Sequence, residues 1–117
     1  MAHANDFDLD RRLRDLIAEL GEISHFLIGS EVDSWVTAVK KARNNLTHLD
    51  EARRKFDGAD LYWLAESLFQ VTRLCLLLRI GLEDQGLSKI VQRIYRWSDL
   101  GQLERAVDQI AGLPPRA

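Results

Sequence analysis

The chain has little with which to staple or interrupt itself: one cysteine, two prolines and seven glycines in 117 residues. The lone cysteine, Cys75, excludes an internal disulfide and a cysteine-rich zinc site. Its place in Leu74-Cys75-Leu76-Leu77-Leu78 marks it as a small buried hydrophobe. Both prolines stand together at Pro114-Pro115, so the remainder is free to form long uninterrupted helices. Positive charge is not in excess either. A formal net charge of −2 argues against a protein that coats nucleic acid through bulk electrostatics, and leaves open only a local basic site. The run from Leu74 to Leu78 is far too short to span a bilayer, and the charge-dominated residues 1–15 do not read as a signal peptide. The expectation is a cytoplasmic protein with no membrane partner, in which the sequon Asn45-Leu46-Thr47 has no use. Internal repeats, low-complexity tracts, Gly-rich phosphate loops and nucleophile elbows are all missing. Metal-ligand spacing is missing too: His25 reads as a satisfied or solvated histidine and His3 as part of a flexible start. No metal and no cofactor are expected.

What is present is helical periodicity on the scale of one domain. An apolar fraction of 46% and a charged fraction of 29% are those of a soluble globular chain, and the length suits a single domain over 1–117, with residues 1–6 and 112–117 as flexible tails. Leu9, Leu13, Leu16, Ile17, Leu20, Ile23 and Leu27 step by threes and fours, predicting a first helix from Leu9 to Ile28 with Asp6 or Asp8 as cap. Gly29-Ser30 ends it. A second helix starts at Ser30 or Glu31, where Ser30 and Asp33 form a variant capping box, carries a core Trp35, and runs to His48. The charged stretch from Asp50 to Asp60 reads as a loop, with Asp60 capping a third helix from Leu61 to Leu82. That helix has a heptad-like seam through Leu64, Leu68, Val71, Cys75 and Leu78, and from Leu74 onward apolar residues go all round, so a second subunit is a candidate to bury part of it. Arg73 and Arg79 either snorkel outward or reach a phosphate site, and Glu66 is a candidate partner for either. Gly81 and Gly86 bracket a turn; a fourth helix over 85–97 and a fifth capped by Ser98 or Asp99 complete an all-α bundle of four to five helices. Tyr95 and Trp97 read as core or rim, with stacking on a base as the functional alternative.

One stretch breaks the apolar pattern with chemically capable groups: Lys40-Lys41-Ala42-Arg43-Asn44-Asn45-Leu46-Thr47-His48-Leu49-Asp50. Arginine offers a planar fork of donors to phosphate oxygens and keeps its charge, and histidine titrates close enough to neutrality to give and take protons. Lys40, Lys41, Arg53, Arg54 and Lys55 make the neighbourhood basic: either a solvated face or a surface for a polyanion. On an ideal helix, five residues place Arg43 and His48 about 140° apart around the axis. A pairing within one chain would need the helix to end or loosen around Leu46 to His48; otherwise a second protomer completes the site.

Arg43, four intervening residues and His48, with Asn44 after the arginine, resemble the motif of the HEPN superfamily, and the order of helices is most similar to the C-terminal HEPN domain of ApeA-type anti-phage proteins, in which a Leu-rich helix ends in a turn like Leu78-Arg79-Ile80-Gly81-Leu82. The resemblance implies an up-and-down bundle and a metal-independent endoribonuclease acting as a homodimer. Arg43 would hold the scissile phosphate, Asn44 would orient the site, and His48 would act as general acid or base around a ribose 2′-hydroxyl. Lys40, Lys41, Arg53 and Arg54 would bind the RNA. A toxin or anti-phage effector is implied, with a sensor or antitoxin protein as possible partner. In related families an antitoxin modifies a tyrosine two residues past the motif histidine; Asp50 stands there in this chain, which argues against that form of control. The alternative is a non-catalytic HEPN-like module for dimerisation or partner binding.

Overall fold

The computed structural model describes residues 2–29, 31–47, 58–97 and 100–112; at residues 2–7, 45–47, 84 and 95–97 it describes the backbone alone. The described residues form an all-α bundle without strands: α1 (Ala2–Leu20), a 3-10 turn (Gly21–Ser24), the single-turn α2 (His25–Ile28), α3 (Val32–Thr47), α4 (Gly58–Arg79), α5 (Asp84–Trp97) and α6 (Leu100–Ala111).

The first helix expected from the apolar stripe is in fact three pieces. It begins at Ala2, ahead of Leu9, so Asp6 and Asp8 lie within it rather than at its cap. It stops at Leu20 because Gly21 takes a positive φ of 66°, a conformation that glycine adopts without the steric cost a Cβ would carry. The stripe survives the break: Leu13, Ile17, Leu20 and Leu27 are all buried, since the 3-10 turn only redirects the chain so that α2 contacts α4, α5 and α6.

Cross-helix contacts fix the directions. Asp10 meets Lys40 and Arg14 meets Asp33, so α1 and α3 run antiparallel. Cys75 donates to the Leu16 carbonyl at 3.4 Å and Arg79 meets Glu19, so α4 runs with α1. Gly29 lies beside Leu100 and Lys41 beside Ala111, so α6 runs with α3. The core between them is made of Ile28, Trp35, Val36, Ala38, Val71, Leu74 and Val107, none of them measurably exposed. Asp33 accepts a hydrogen bond from Arg14; Ser30, its partner in the expected capping box, lies outside the described residues.

The third helix begins at Gly58, which puts Asp60 inside its first turn, where a carboxylate still suits the helix dipole. It ends in a Schellman motif: Leu82 N–H bonds the Leu77 carbonyl at 3.0 Å and Gly81 N–H bonds the Leu78 carbonyl at 3.1 Å, with Gly81 at φ 104°. Gly86 is part of α5 rather than the far side of the turn, and a Cβ there would stand 2.8 Å from Leu82 Cδ1. Among the described helices α4 is the one long and apolar enough by composition to cross a membrane. One side of it is buried in the bundle through Leu64, Ser67, Val71, Leu74 and Cys75, while Tyr62, Phe69 and Leu76 are exposed.

Arg79 snorkels, as one of the two expectations had it, and forks onto Glu19 at 3.2 Å through both Nε and Nη2. Arg73 stays exposed and donates to Gln70 Oε1 at 3.3 Å; Glu66 accepts from Gln70 at 3.2 Å rather than pairing with either arginine. Cys75 is buried, and burial, followed by the charge of Glu19, pushes its thiol above the ordinary range.

Candidate active site

The helix that carries the motif is anchored by its apolar face. Val36, Ala38, Val39 and Ala42 are buried, while Arg43 and Asn44 are exposed. Arg43 follows Val36 by seven residues and Val39 by four, so it continues their side of the helix, about 20° and 40° away around the axis, and its exposure marks where the core ends along α3. The backbone stays helical through Thr47, so no loosening occurs at Leu46 or Thr47. Any change of direction that brings His48 toward Arg43 within one chain must therefore begin at His48 itself. His48, Arg53 and Arg54 lie outside the described residues.

The two lysines are already engaged. Lys40 Nζ donates to Asp10 Oδ2 at 3.0 Å, and Arg14 Nε donates to the other carboxylate oxygen at 2.6 Å. The Arg14 hydrogen bond, then that of Lys40, holds the Asp10 carboxyl below the usual carboxylate range. Lys41 Nζ donates to the Ala111 carbonyl at 2.8 Å, satisfying one of the acceptors that the end of α6 leaves over. Neither partner was legible in the sequence, because they stand 30 and 70 residues away and no local pattern announces them. The site therefore lies at the end of the bundle where α3 and α6 finish beside the first half of α1, and where α4, opposite in direction to α3, begins.

The arrangement presents an arginine fork and an amide on a rigid helix, immediately before the titratable imidazole of the motif. Such a surface can grip a phosphodiester; it lacks, among the described residues, any cluster of histidine, cysteine and carboxylates suited to a metal. A second feature bears on assembly. Tyr62, Phe69 and Leu76 of α4 and Ile80 just past its end are 58%, 59%, 57% and 79% exposed, so α4 is not covered on all sides within one chain. The first three repeat at seven-residue spacing, which puts them on one stripe of the helix.

A family model described as Apea-like HEPN matches residues 1–86, from α1 into the start of α5. No curated relative and no solved structure matches the chain.

Proposed function

The chain belongs to the ApeA-like HEPN family, and from that premise we propose that it is a metal-independent endoribonuclease whose site is assembled from Arg43, Asn44 and His48 of two protomers. The observation that carries this reading is the exposed placement of Arg43 and Asn44 on a helix that remains regular up to the residue before His48. An ideal helix continued through His48 would set the arginine and histidine of one chain about 140° apart, and a two-fold partner would then supply what each lacks. The exposed apolar stripe of Tyr62, Phe69 and Leu76 is the kind of surface a second copy covers.

In the proposed reaction Arg43 forks onto the non-bridging oxygens and stabilises the charge that develops on them. His48 takes the proton of the ribose 2′-hydroxyl or returns one to the leaving 5′-oxygen. The 2′-oxygen attacks phosphorus, the P–O5′ bond breaks, and a cyclic phosphate and a 5′-hydroxyl end result, with no cofactor. Asn44 orients the phosphate. Arg53 and Arg54 add basic charge along the RNA; Lys40 and Lys41, held by Asp10 and Ala111, contribute by long-range charge rather than direct grip. Single-stranded or looped RNA fits best, because its 2′-hydroxyls and bases are accessible. The family membership supports, as part of this proposal, a role as a toxin or anti-phage effector under a sensor or antitoxin protein.

Cleavage of a labelled single-stranded RNA by Arg43→Ala and His48→Ala tests the assignment. Each substitution lowers the rate by roughly a hundredfold or more while circular dichroism retains the parent helix content. If both variants cut like the parent, the site is elsewhere. The second reading, a non-catalytic dimerisation module, draws on the same α4 stripe, and a chain that dimerises but cuts no RNA between pH 5 and 9 would establish it.

A further inference from the structure

α2 touches both α4 and α5, and its Phe26 and Leu27 join residues of those helices in lining a groove of about 580 Å³. Its floor and walls are apolar: Leu27 and Leu103 are buried, while Trp63, Ile90 and Ile94 are only half-buried because they face the groove rather than the core. On the same face of α5, Leu87 and Val91 reach the core and are fully covered. The groove is thus a place where an amphipathic helix shows part of its apolar face to a concavity of a size that small ligands fill.

Its rim carries three cations, on both sides, against one carboxylate. Arg73 stands on α4, and Lys89 and Arg93, four residues apart, stand on α5. Like charges at that spacing repel, so the fold gains nothing from them. None of the three has a carboxylate within ion-pair distance among the described residues, whereas Arg14, Lys40 and Arg79 elsewhere on the bundle all do. The single acidic side chain at the rim, Glu66, lies two turns of α4 before Arg73 and accepts from Gln70.

We propose that this groove binds a small amphipathic organic anion, its carboxylate or phosphate head between Arg73 and the Lys89–Arg93 pair and its apolar body along Trp63, Ile90 and Ile94. Charge complementarity decides the occupant. A neutral apolar molecule would leave three like charges uncompensated, a cation would add to them, and an arginine fork matches the geometry of either acidic head. The head points away from Glu66. Ten of the sixteen lining residues lie within the family-matched segment, while the two cations of α5 and the α6 wall lie past residue 86. It is also independent of Arg43 and of RNA cleavage.

Isothermal titration of the full chain with decanoate, decyl phosphate and decanol tests the proposal. Both anions bind one site, more tightly than decanol, and the tighter of the two identifies the head group. Combined Arg73→Ala, Lys89→Ala and Arg93→Ala, all at exposed positions, weakens the anions at least tenfold and leaves decanol unchanged. Ile90→Trp fills the groove and removes all binding, with the thermal melt as the check that the bundle remains. The proposal is overturned if no probe binds, if decanol binds as well as the anions, if the triple variant binds the anions like the parent, or if the triple variant loses affinity for an RNA oligonucleotide instead.

Discussion

Among the described residues Trp35 contributes the largest fully buried side chain, and its indole N–H donates to the Ser67 hydroxyl at 2.9 Å. Ser67 in turn donates to the Leu64 carbonyl at 2.6 Å, so one hydroxyl satisfies two buried groups. Ser67→Ala strands the indole donor away from water and is expected to cost about 1–3 kcal/mol, read as a lower urea midpoint with an unchanged slope; a midpoint equal to the parent's would mean that water reaches the indole. Asp10 makes the second prediction. Its pKa is depressed by Arg14 and Lys40, so the stability it adds is present above the ordinary carboxylate pKa of about 3.9 and is lost as pH falls through the lower folded value. The gap in urea midpoint between Asp10→Asn and the parent should hold constant from pH 7 to 5 and close below about pH 4; a gap that persists into strong acid would assign the effect to something other than this charge. Trp35 was legible as core from its helical spacing. Ser67 was not, because a serine within an apolar helix gives no sign that it serves a distant indole.

Among the elements, the long helices follow from period and from scarce breakers, and α3, α5 and α6 stand within a residue or two of their expected bounds. The sequence reading failed where one glycine redirects a stripe that otherwise continues. Leu20, Ile23 and Leu27 keep helical spacing across Gly21, so nothing in the apolar pattern marks the break that creates α2. At the other turn the glycine was the right signal, but its role is specific: Gly81 lies at φ 104° and closes α4 through the bond from Leu82 N–H to Leu77. Gly81→Ala forces a Cβ into the left-handed region and is expected to lower stability by about 1–2 kcal/mol, seen as an earlier thermal transition. An unchanged transition would show that the turn relaxes to another conformation. The polar break in α3 was legible too, since Lys40, Lys41, Arg43 and Asn44 interrupt its apolar pattern. The engagement of Lys40 and Lys41 was not, because it depends on tertiary neighbours.

The molecule is a HEPN-type bundle whose described residues leave open the α4 stripe and the groove between α4 and α5. A second copy on the stripe and a small anion in the groove account for them separately. The account's centre is the composite site, and mixing inactive chains tests it most directly. Arg43→Ala and His48→Ala proteins, each inert alone, are combined, allowed to exchange subunits, and assayed on single-stranded RNA with heterodimers verified by native mass spectrometry. Each heterodimer pairs one intact arginine with one intact histidine across the axis, so the mixture should recover about a quarter of the parent rate. A mixture that contains heterodimers and remains as inactive as its components would contradict the shared site.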